Sequence, residues 1–207
     1  MTARTIRVQP RAAHRSMPWA NGGGVTEEIA IDIANEEWSW RLSLAKVVAD
    51  GPFSVLPGID RSLVVCDGAG MDLSVAGQTH RIARFDSFAF DGAAPTTCAL
   101  LDGPIHDLNL MVRADAKIGR PHLRITRLGR GDEVSIDDAL AMVVLDGVIV
   151  VTTQGTAFPF TPTINRATRF DALLFAPASD DTPAQSVTVL RDCVVALALL
   201  DRSVARR

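Results

Sequence analysis

The sequence predicts an all-β protein made of two related β-modules. Short segments rich in Val, Ile and Leu recur between turn signals, as expected of antiparallel strands. No segment keeps a helical period for more than about ten residues. The turn signals include Asp-Gly pairs beginning at Asp50, Asp67, Asp91, Asp102 and Asp146.

Two strand–turn patterns occur twice and in the same order. Leu63–Gly68 (LVVCDG) resembles Met142–Gly147 (MVVLDG), and Arg84–Phe90 (RFDSFAF) resembles Arg169–Phe175 (RFDALLF). The offset is 79 residues for the first pair and 85 for the second. A six-residue insertion around FPFTPTIN in the second half would reconcile the two offsets. The order of the repeats indicates two similar modules of the jelly-roll or cupin type.

The modules are expected to span residues 1–115 and 116–207. The opening segment TIRVQ reads as a strand between basic residues, and a transit peptide is the less favoured interpretation of its arginines. Asp137–Leu145 (DDALAMVVL) is the best helical candidate. At most one or two short helices are therefore expected.

Composition excludes several classes of protein. Of the 207 residues 47% are hydrophobic and 22% charged, which suits a protein with a buried core. A net charge of −3 and the lack of a basic block argue against nucleic-acid binding. The longest apolar runs are too short to span a bilayer. Cys66, Cys98 and Cys193 are widely spaced, which favours free thiols and a cytoplasmic location.

Three segments alternate between an apolar and a polar face, as strands do. Ile29, Ile31 and Ile33 are predicted to share the apolar face of the first. The apolar residues of the other two are Trp40, Leu42 and Leu44, and Leu108, Leu110 and Val112. The opposite faces carry Thr26, Glu28, Ala30 and Asp32, then Arg41, Ser43 and Ala45, then Asp107, Asn109, Met111 and Arg113.

These polar faces have two interpretations. One is a half-buried sheet with its polar side in water. The other, which we favour, is a pocket, because short polar groups around single arginines suit a narrow interior better than a solvated surface. An arginine in such a pocket can bind a carboxylate through two parallel hydrogen bonds.

No motif predicts a metal, a cofactor or a nucleophile. His14, His80, His106 and His122 form no HxH pair, and each is expected to be a surface or loop residue. The GGG stretch at 22–24 lacks the pattern of a phosphate-binding loop. There is no GxSxG elbow and no cysteine beside a histidine.

Four blocks of the sequence are similar to the HutD/Ves family. In order they are Pro18–Ala30 (PWANGGGVTEEIA), Trp40–Ala45 (WRLSLA), Gly51–Arg61 (GPFSVLPGIDR) and Asp102–Arg113 (DGPIHDLNLMVR). One departure is Ala20, where the family often has Lys. The resemblance implies a bicupin fold, which agrees with the internal repeat, and an accessory role beside histidine catabolism.

The resemblance and the polar faces together predict a small-carboxylate-binding protein with no cofactor, whose ligand is urocanate or a formylglutamate-like acid. The rival is a metal-independent hydrolase or isomerase in which Glu28 and Asp107 act as acid and base. We favour the binding protein. A homodimer through edge strands is compatible with this prediction but is not required. The predicted ligand-binding residues are Trp19, Asn21, Glu28, Arg41, Ser43, Arg61, Asp107, Asn109 and Arg113.

Overall fold

The computed structural model describes residues 4–34, 37–132, 136, 138–153, 163–177 and 185–202. Apart from two short 3-10 turns, η1 (Arg11–Ala13) and η2 (Ala114–Ala116), every regular element among them is a β-strand. The all-β prediction is therefore confirmed. Among these residues there is no helix of the length and apolarity needed to cross a membrane.

The strands follow one another with short connections over most of the described chain. In the N-terminal half they are β1 (Arg4–Gln9), β2 (Arg15–Pro18), β3 (Gly24–Ala34), β4 (Glu37–Val47), β5 (Gly51–Pro52), β6 (Ile59–Asp67), β7 (Met71–Val75), β8 (Gln78–Ile82), β9 (Ser87–Asp91), β10 (Thr96–Leu100) and β11 (Ile105–Arg113). The later strands are β12 (Arg120–Leu128), β13 (Ala139–Thr153), β14 (Thr163–Ala167), β15 (Ala172–Pro177) and β16 (Gln185–Asp201).

One compact unit consists of residues 14–123 and 200–207. It contains a six-stranded sheet in the order β2-β3-β4-β11-β6-β9 and a four-stranded sheet in the order β5-β10-β7-β8. Both sheets contribute to one buried apolar cluster, including Leu63 and Ile105 from the first and Leu73 and Cys98 from the second. This unit is therefore a β-sandwich with its core between the sheets.

The other compact unit consists of residues 1–13 and 124–199. Its sheet runs β1-β15-β13-β16-β12, and β14 also pairs with β13. The buried cluster of this unit includes Met142, Val144, Leu173, Val195 and Leu197. Strand β1 is the opening strand that the sequence predicted.

The internal repeat is visible in the backbone. Phe85 and Phe170 hold equivalent places in the RFD segments, and both have the left-handed φ that is uncommon for a bulky residue, 72° and 68°. The amide of Phe85 donates to the carbonyl of Val65 at 2.7 Å, and that of Phe170 donates to the carbonyl of Val144 at 2.6 Å. The repeated sequences therefore build the same turn in both units.

The two halves differ in the connection where the insertion was predicted. Two residues separate β7 from β8, whereas nine separate β13 from β14. Most of the FPFTPTIN segment lies outside the described residues.

Two local predictions were wrong. Residues 139–145 of the helical candidate belong to strand β13, because β13 pairs with both β15 and β16 and its side chains are buried. The single apolar face of β3 is broken by two irregularities in its pairing with β4, one between Glu28 and Ala30 and one between Asp32 and Ile33. Ile29 is therefore buried, whereas Ile31 and Ile33 are 36% and 66% exposed.

All three cysteines are free and buried. This agrees with the prediction of free thiols.

Candidate functional site

A cavity of about 540 Å³ opens within the unit formed by residues 14–123 and 200–207. Its volume lies in the range of small-molecule sites. The residues that line it are Met17, Pro18, Trp19, Ala20, Asn21, Thr26, Arg41, Ser43, Ala45, Pro52, Phe53, Ser54, Leu56, Arg61, Asp107, Asn109 and Met111.

Strands β4 and β11 supply the polar floor of the cavity. Because side chains alternate along a strand, every second residue of each strand faces the same way. The antiparallel register then pairs Arg41 with Met111, Ser43 with Asn109, and Ala45 with Asp107. The intervening residues Leu42, Leu44, Leu108 and Leu110 are fully buried. The alternation predicted for both strands is confirmed.

The turn between β2 and β3 forms one rim. Trp19 donates its indole N–H to Thr26 Oγ1 at 2.8 Å, and Asn21 Oδ1 accepts the amide of Gly23 at 3.0 Å. Gly24 allows the close packing here, because a Cβ atom at this position would lie 2.4 Å from the Lys46 carbonyl oxygen. The glycine stretch thus holds Trp19 and Asn21 at the cavity.

The segment Gly51–Arg61 forms the opposite wall. Phe53 lines the cavity and lies 5.1 Å from the Arg61 guanidinium, measured to the ring centroid. Phe90 lies 4.9 Å from the same guanidinium. Two aromatic contacts therefore fix Arg61, whose residue is only 4% exposed.

Burial dominates the electrostatics of the site. Desolvation raises the pKa of Asp107 to about 7, although the charge of Arg61 and the Asn109 side chain both favour the ionised carboxylate. Desolvation also lowers the pKa of Arg61 to about 10, a shift that the charge of Asp107 opposes. Arg61 is therefore charged at neutral pH, and Asp107 keeps its proton to a higher pH than an exposed carboxyl does.

Several buried polar atoms of the cavity lack partners. Among the described residues, none makes a geometrically sound hydrogen bond with either carboxylate oxygen of Asp107, with Asn109 Oδ1 or with Arg61 Nε. Asp107 is 1% exposed and Asn109 4% exposed. Buried polar groups are normally hydrogen-bonded, so this cluster has the character of a binding site and not of a structural core.

Comparison with known proteins identifies the family. The sequence pattern of the HutD family matches residues 11–192, which is most of the chain.

The chain belongs to the HutD family.

Two curated relatives support this assignment. An uncharacterised 21.2 kDa protein of the hutC 3′ region of Pseudomonas putida is 46% identical over 46% of this chain and 52% of its own length. The protein Ves of Cronobacter sakazakii is 36% identical over 47% of this chain and 55% of its own length. The chain spans about half the length of the curated relatives it matches. The first relative links the family to the histidine-utilisation locus.

Solved structures support the family and the fold. HutD from Pseudomonas fluorescens SBW25 is 28% identical, with a TM-score of 0.67 over 95% of this chain and 99% of its own. A cupin 2 conserved barrel domain protein from Leptotrichia buccalis is 13% identical, with a TM-score of 0.55 over 86% of this chain and 89% of its own. The second likeness concerns the fold alone, and it confirms the predicted bicupin architecture.

This HutD-family cavity brings together most of the residues that the sequence suggested. Its lining includes Trp19, Asn21, Arg41, Ser43, Arg61, Asp107 and Asn109. Arg61 is among the most buried polar residues that the structure describes.

Glu28 and Arg113 are not among the lining residues. Glu28 Oε2 lies 2.9 Å from Arg41 Nε, an ion pair without hydrogen-bond geometry. Arg113 contacts Glu37 Oε2 at 2.8 Å and Asp115 Oδ2 at 2.6 Å. Both side chains are thus engaged by opposite charges beside the cavity lining.

Sequence reasoning missed the contribution of the Gly51–Arg61 segment to the wall. Pro52, Phe53, Ser54 and Leu56 all line the cavity. This segment is one of the four blocks that resemble the family, but nothing in its sequence showed which side chains face the ligand space. Met111 and Thr26 had been placed on the correct strand faces without being assigned to the site.

The histidines lie apart from the cavity lining. His14 lies in the connection between η1 and β2, as expected of a loop residue, although its side chain is only 1% exposed and lies 3.6 Å from Glu27. His80 packs on Phe88, and His106 lies 3.6 Å from Asp67. The described residues contain no group of three or more His, Cys, Asp or Glu side chains suited to hold a metal ion.

Proposed function

We propose that this protein binds a small carboxylate without converting it, and that binding serves an accessory or regulatory role in histidine catabolism. The observation that carries the proposal is the buried guanidinium of Arg61 in the cavity. Urocanate and formylglutamate-like acids are the proposed ligands, because the chain belongs to the HutD family and a relative comes from the hutC 3′ region.

The charges of the lining favour an anionic ligand. Arg41 already has Glu28 as an ion-pair partner, whereas Arg61 forms no ion pair with any described residue. Burial raises the pKa of Asp107 and so opposes its ionisation, which leaves the charge of Arg61 only partly compensated. A ligand carboxylate would supply that charge, and hydrogen bonds to a charged partner contribute about 1.5–3 kcal/mol.

Calorimetry with the purified chain tests the proposal. The probes are histidine, urocanate, formiminoglutamate, formylglutamate and formate, each recovered afterwards for mass analysis. We expect saturable binding of urocanate or formylglutamate with the ligand recovered intact. Arg61→Met should weaken binding about ten- to 150-fold. Arg81→Ala should leave binding unchanged, because Arg81 is an exposed arginine paired with Asp72. Equal binding by Arg61→Met in a folded variant would overturn the proposal.

A second candidate function is proton-transfer catalysis on the same class of acid. It is favoured by Asp107, a cavity carboxyl with a pKa of about 7, which suits a general acid or base. The original pairing of Glu28 with Asp107 is disfavoured, because Glu28 is held by Arg41 and does not line the cavity. Conversion of a probe during the mass analysis would establish the enzyme in place of the binding protein.

A further inference from the structure

We infer that ligand binding in this cavity is coupled to the uptake of a proton by Asp107, so that the protein binds an anion tightly when Asp107 is protonated and weakly when it is ionised. This inference rests on the proposed binding function and specifies how pH regulates the same site. It requires only that the ligand carry a negative charge.

The surroundings of Asp107 disfavour a negative charge. The residue is 1% exposed, and among the described residues neither of its carboxyl oxygens has a hydrogen-bond donor with sound geometry. Its neighbour in register on β4 is Ala45, which offers no side-chain donor. A buried carboxylate in such a place loses its hydration and gains little in return, whereas the neutral acid avoids most of that cost. The geometry therefore favours the protonated form.

Two neighbours oppose this preference. The charge of Arg61 on β6 and the side chain of Asn109 both favour the ionised carboxylate, but burial outweighs them and raises the pKa of Asp107 to about 7. Asp107 in turn opposes the desolvation that lowers the pKa of Arg61. The ionised form of Asp107 thus depends on an arginine that lines the same cavity.

The remaining charged and titratable groups near Asp107 do not replace Arg61 in this role. Arg41 on β4 lines the cavity, but it has Glu28 as an ion-pair partner 2.9 Å away. The thiol of Cys98 on β10 stays neutral, because burial raises its pKa and the charge of Asp107 raises it further. Within the described part of the chain, Arg61 is therefore the cation that a ligand would take from Asp107.

An anionic ligand changes the balance in two ways that have the same sign. Its carboxylate pairs with Arg61 and so neutralises the cation that favours ionised Asp107. It also brings a second negative charge into the cavity, and a carboxyl group that shares a site with another carboxylate has a raised pKa. The pKa of Asp107 must then be higher in the complex than in the free protein. By linkage, the ligand binds the protonated protein more tightly, and binding at a pH above the pKa of free Asp107 takes up a proton.

Calorimetry in two buffers measures that proton. Formylglutamate and urocanate are each titrated into the native protein at pH 8 in HEPES and in Tris, whose ionisation enthalpies differ. The difference in observed heat gives the number of protons taken up per ligand bound, and we expect about half a proton or more. The affinity for formylglutamate, which has no group that titrates between pH 6 and pH 8.5, should fall about five-fold or more over that interval.

Asp107→Asn replaces the carboxyl group by a neutral amide. Its proton uptake should be close to zero, and its affinity for formylglutamate should change by less than about two-fold between pH 6 and pH 8.5. Asp72→Asn is the matched control, because Asp72 lies outside the cavity lining and pairs with Arg81, and it should keep the native proton uptake. Thermal melts establish that both variants fold, and the native titrations test the coupling without any variant.

The outcomes separate the inference from the proposed function. Saturable binding without proton uptake in the native protein would overturn the inference and leave carboxylate binding intact. Native proton uptake in folded Asp107→Asn would do the same, because another group would then take the proton. If neither compound bound the native protein at any pH between 6 and 8.5, the proposed function and the inference would both be overturned.

Discussion

Arg61 and Arg41 line the same cavity but differ in how their charges are satisfied. Phe53 and Phe90 lie 5.1 and 4.9 Å from the Arg61 guanidinium. Aromatic contacts of this kind occupy the faces of a guanidinium, whereas its hydrogen-bond donors lie in its plane. Arg41 instead has a carboxylate 2.9 Å from its Nε. Arg61 therefore has more to gain from a ligand.

This difference predicts unequal effects of two matched substitutions. Arg61→Met should weaken carboxylate binding by about 1.5–3 kcal/mol, which is roughly ten- to 150-fold. Arg41→Met should cost less, because Glu28 competes with the ligand for Arg41. Isothermal calorimetry at one pH and salt concentration measures both. A larger loss for Arg41→Met would show that the anionic end of the ligand lies on β4.

Asp107 makes stability depend on pH in a definite direction. Burial raises its pKa from the ordinary 3.8 to about 7. Between these values the folded protein keeps a proton that the unfolded chain releases. The contribution of this proton to the free energy of unfolding is therefore complete below pH 4 and is lost as the pH rises through 7.

Denaturant unfolding at pH 5 and pH 8 checks this prediction. Asp107→Asn should lose less stability over the interval than the native protein does. Asp72→Asn should behave as native, because the hydrogen bond from Arg81 lowers the pKa of Asp72, which is therefore ionised throughout. A native slope in Asp107→Asn would mean that Asp107 is ionised at pH 5.

At the scale of elements, the β2–β3 turn couples backbone geometry to the rim of the site. In Gly24→Ala the new Cβ would meet the Lys46 carbonyl oxygen at 2.4 Å and the Trp19 ring at 3.0 Å. The fold should lose about 1–3 kcal/mol, as overpacked sites do, and binding should weaken because Trp19 is displaced. Gly51→Ala is the control, because a Cβ there meets nothing within 4 Å. Thermal melts measure the loss of stability, and calorimetry measures the loss of ligand affinity.

The strands that could be predicted are those that alternate without interruption. The faces of β4 and β11 followed from sequence because each keeps one register against its neighbour over the floor residues. Strand β3 did not, because a bulge is a property of the pairing and leaves no mark in the alternation itself. The apolar run at 139–145 favoured a helix only because its sheet neighbours were not visible in the sequence.

The members of the site could be predicted only in part for a related reason. The alternation of a sequence shows on which face of the sheet a side chain lies, but it does not show which charged groups lie next to that side chain. Arg41, Arg61 and Arg113 were all candidates, and their surroundings separate them. Arg41 has an ion pair with Glu28, Arg61 has two aromatic rings, and Arg113 has two carboxylates. The wall formed by the Gly51–Arg61 segment depends on loop conformation, which composition alone does not determine.

At the scale of the whole molecule, the internal repeat did not preserve the site. Asp107 pairs in register with Val65, and the equivalent pair in the other unit is Val195 with Val144. Asn109 pairs with Leu63, and its counterpart is Leu197 with Met142. Val195 and Leu197 are fully buried in an apolar cluster. The unit of residues 1–13 and 124–199 thus has core residues where the other has its polar floor.

This asymmetry predicts one ligand per chain, although the fold is duplicated. Calorimetric titration with urocanate or formylglutamate should give a stoichiometry near one, and Arg61→Met should lower the affinity of that single site about ten- to 150-fold. The matched control is Arg169→Met, which alters an arginine in the other unit that packs on Phe170 at 4.6 Å and should leave both values unchanged. A stoichiometry of two, or saturable binding in Arg61→Met at the native affinity, would mean that the second module binds ligand through groups unrelated to those of the first. A value of one would mean that duplication conserved the scaffold and its turns while only one copy keeps the buried charges that a ligand must satisfy.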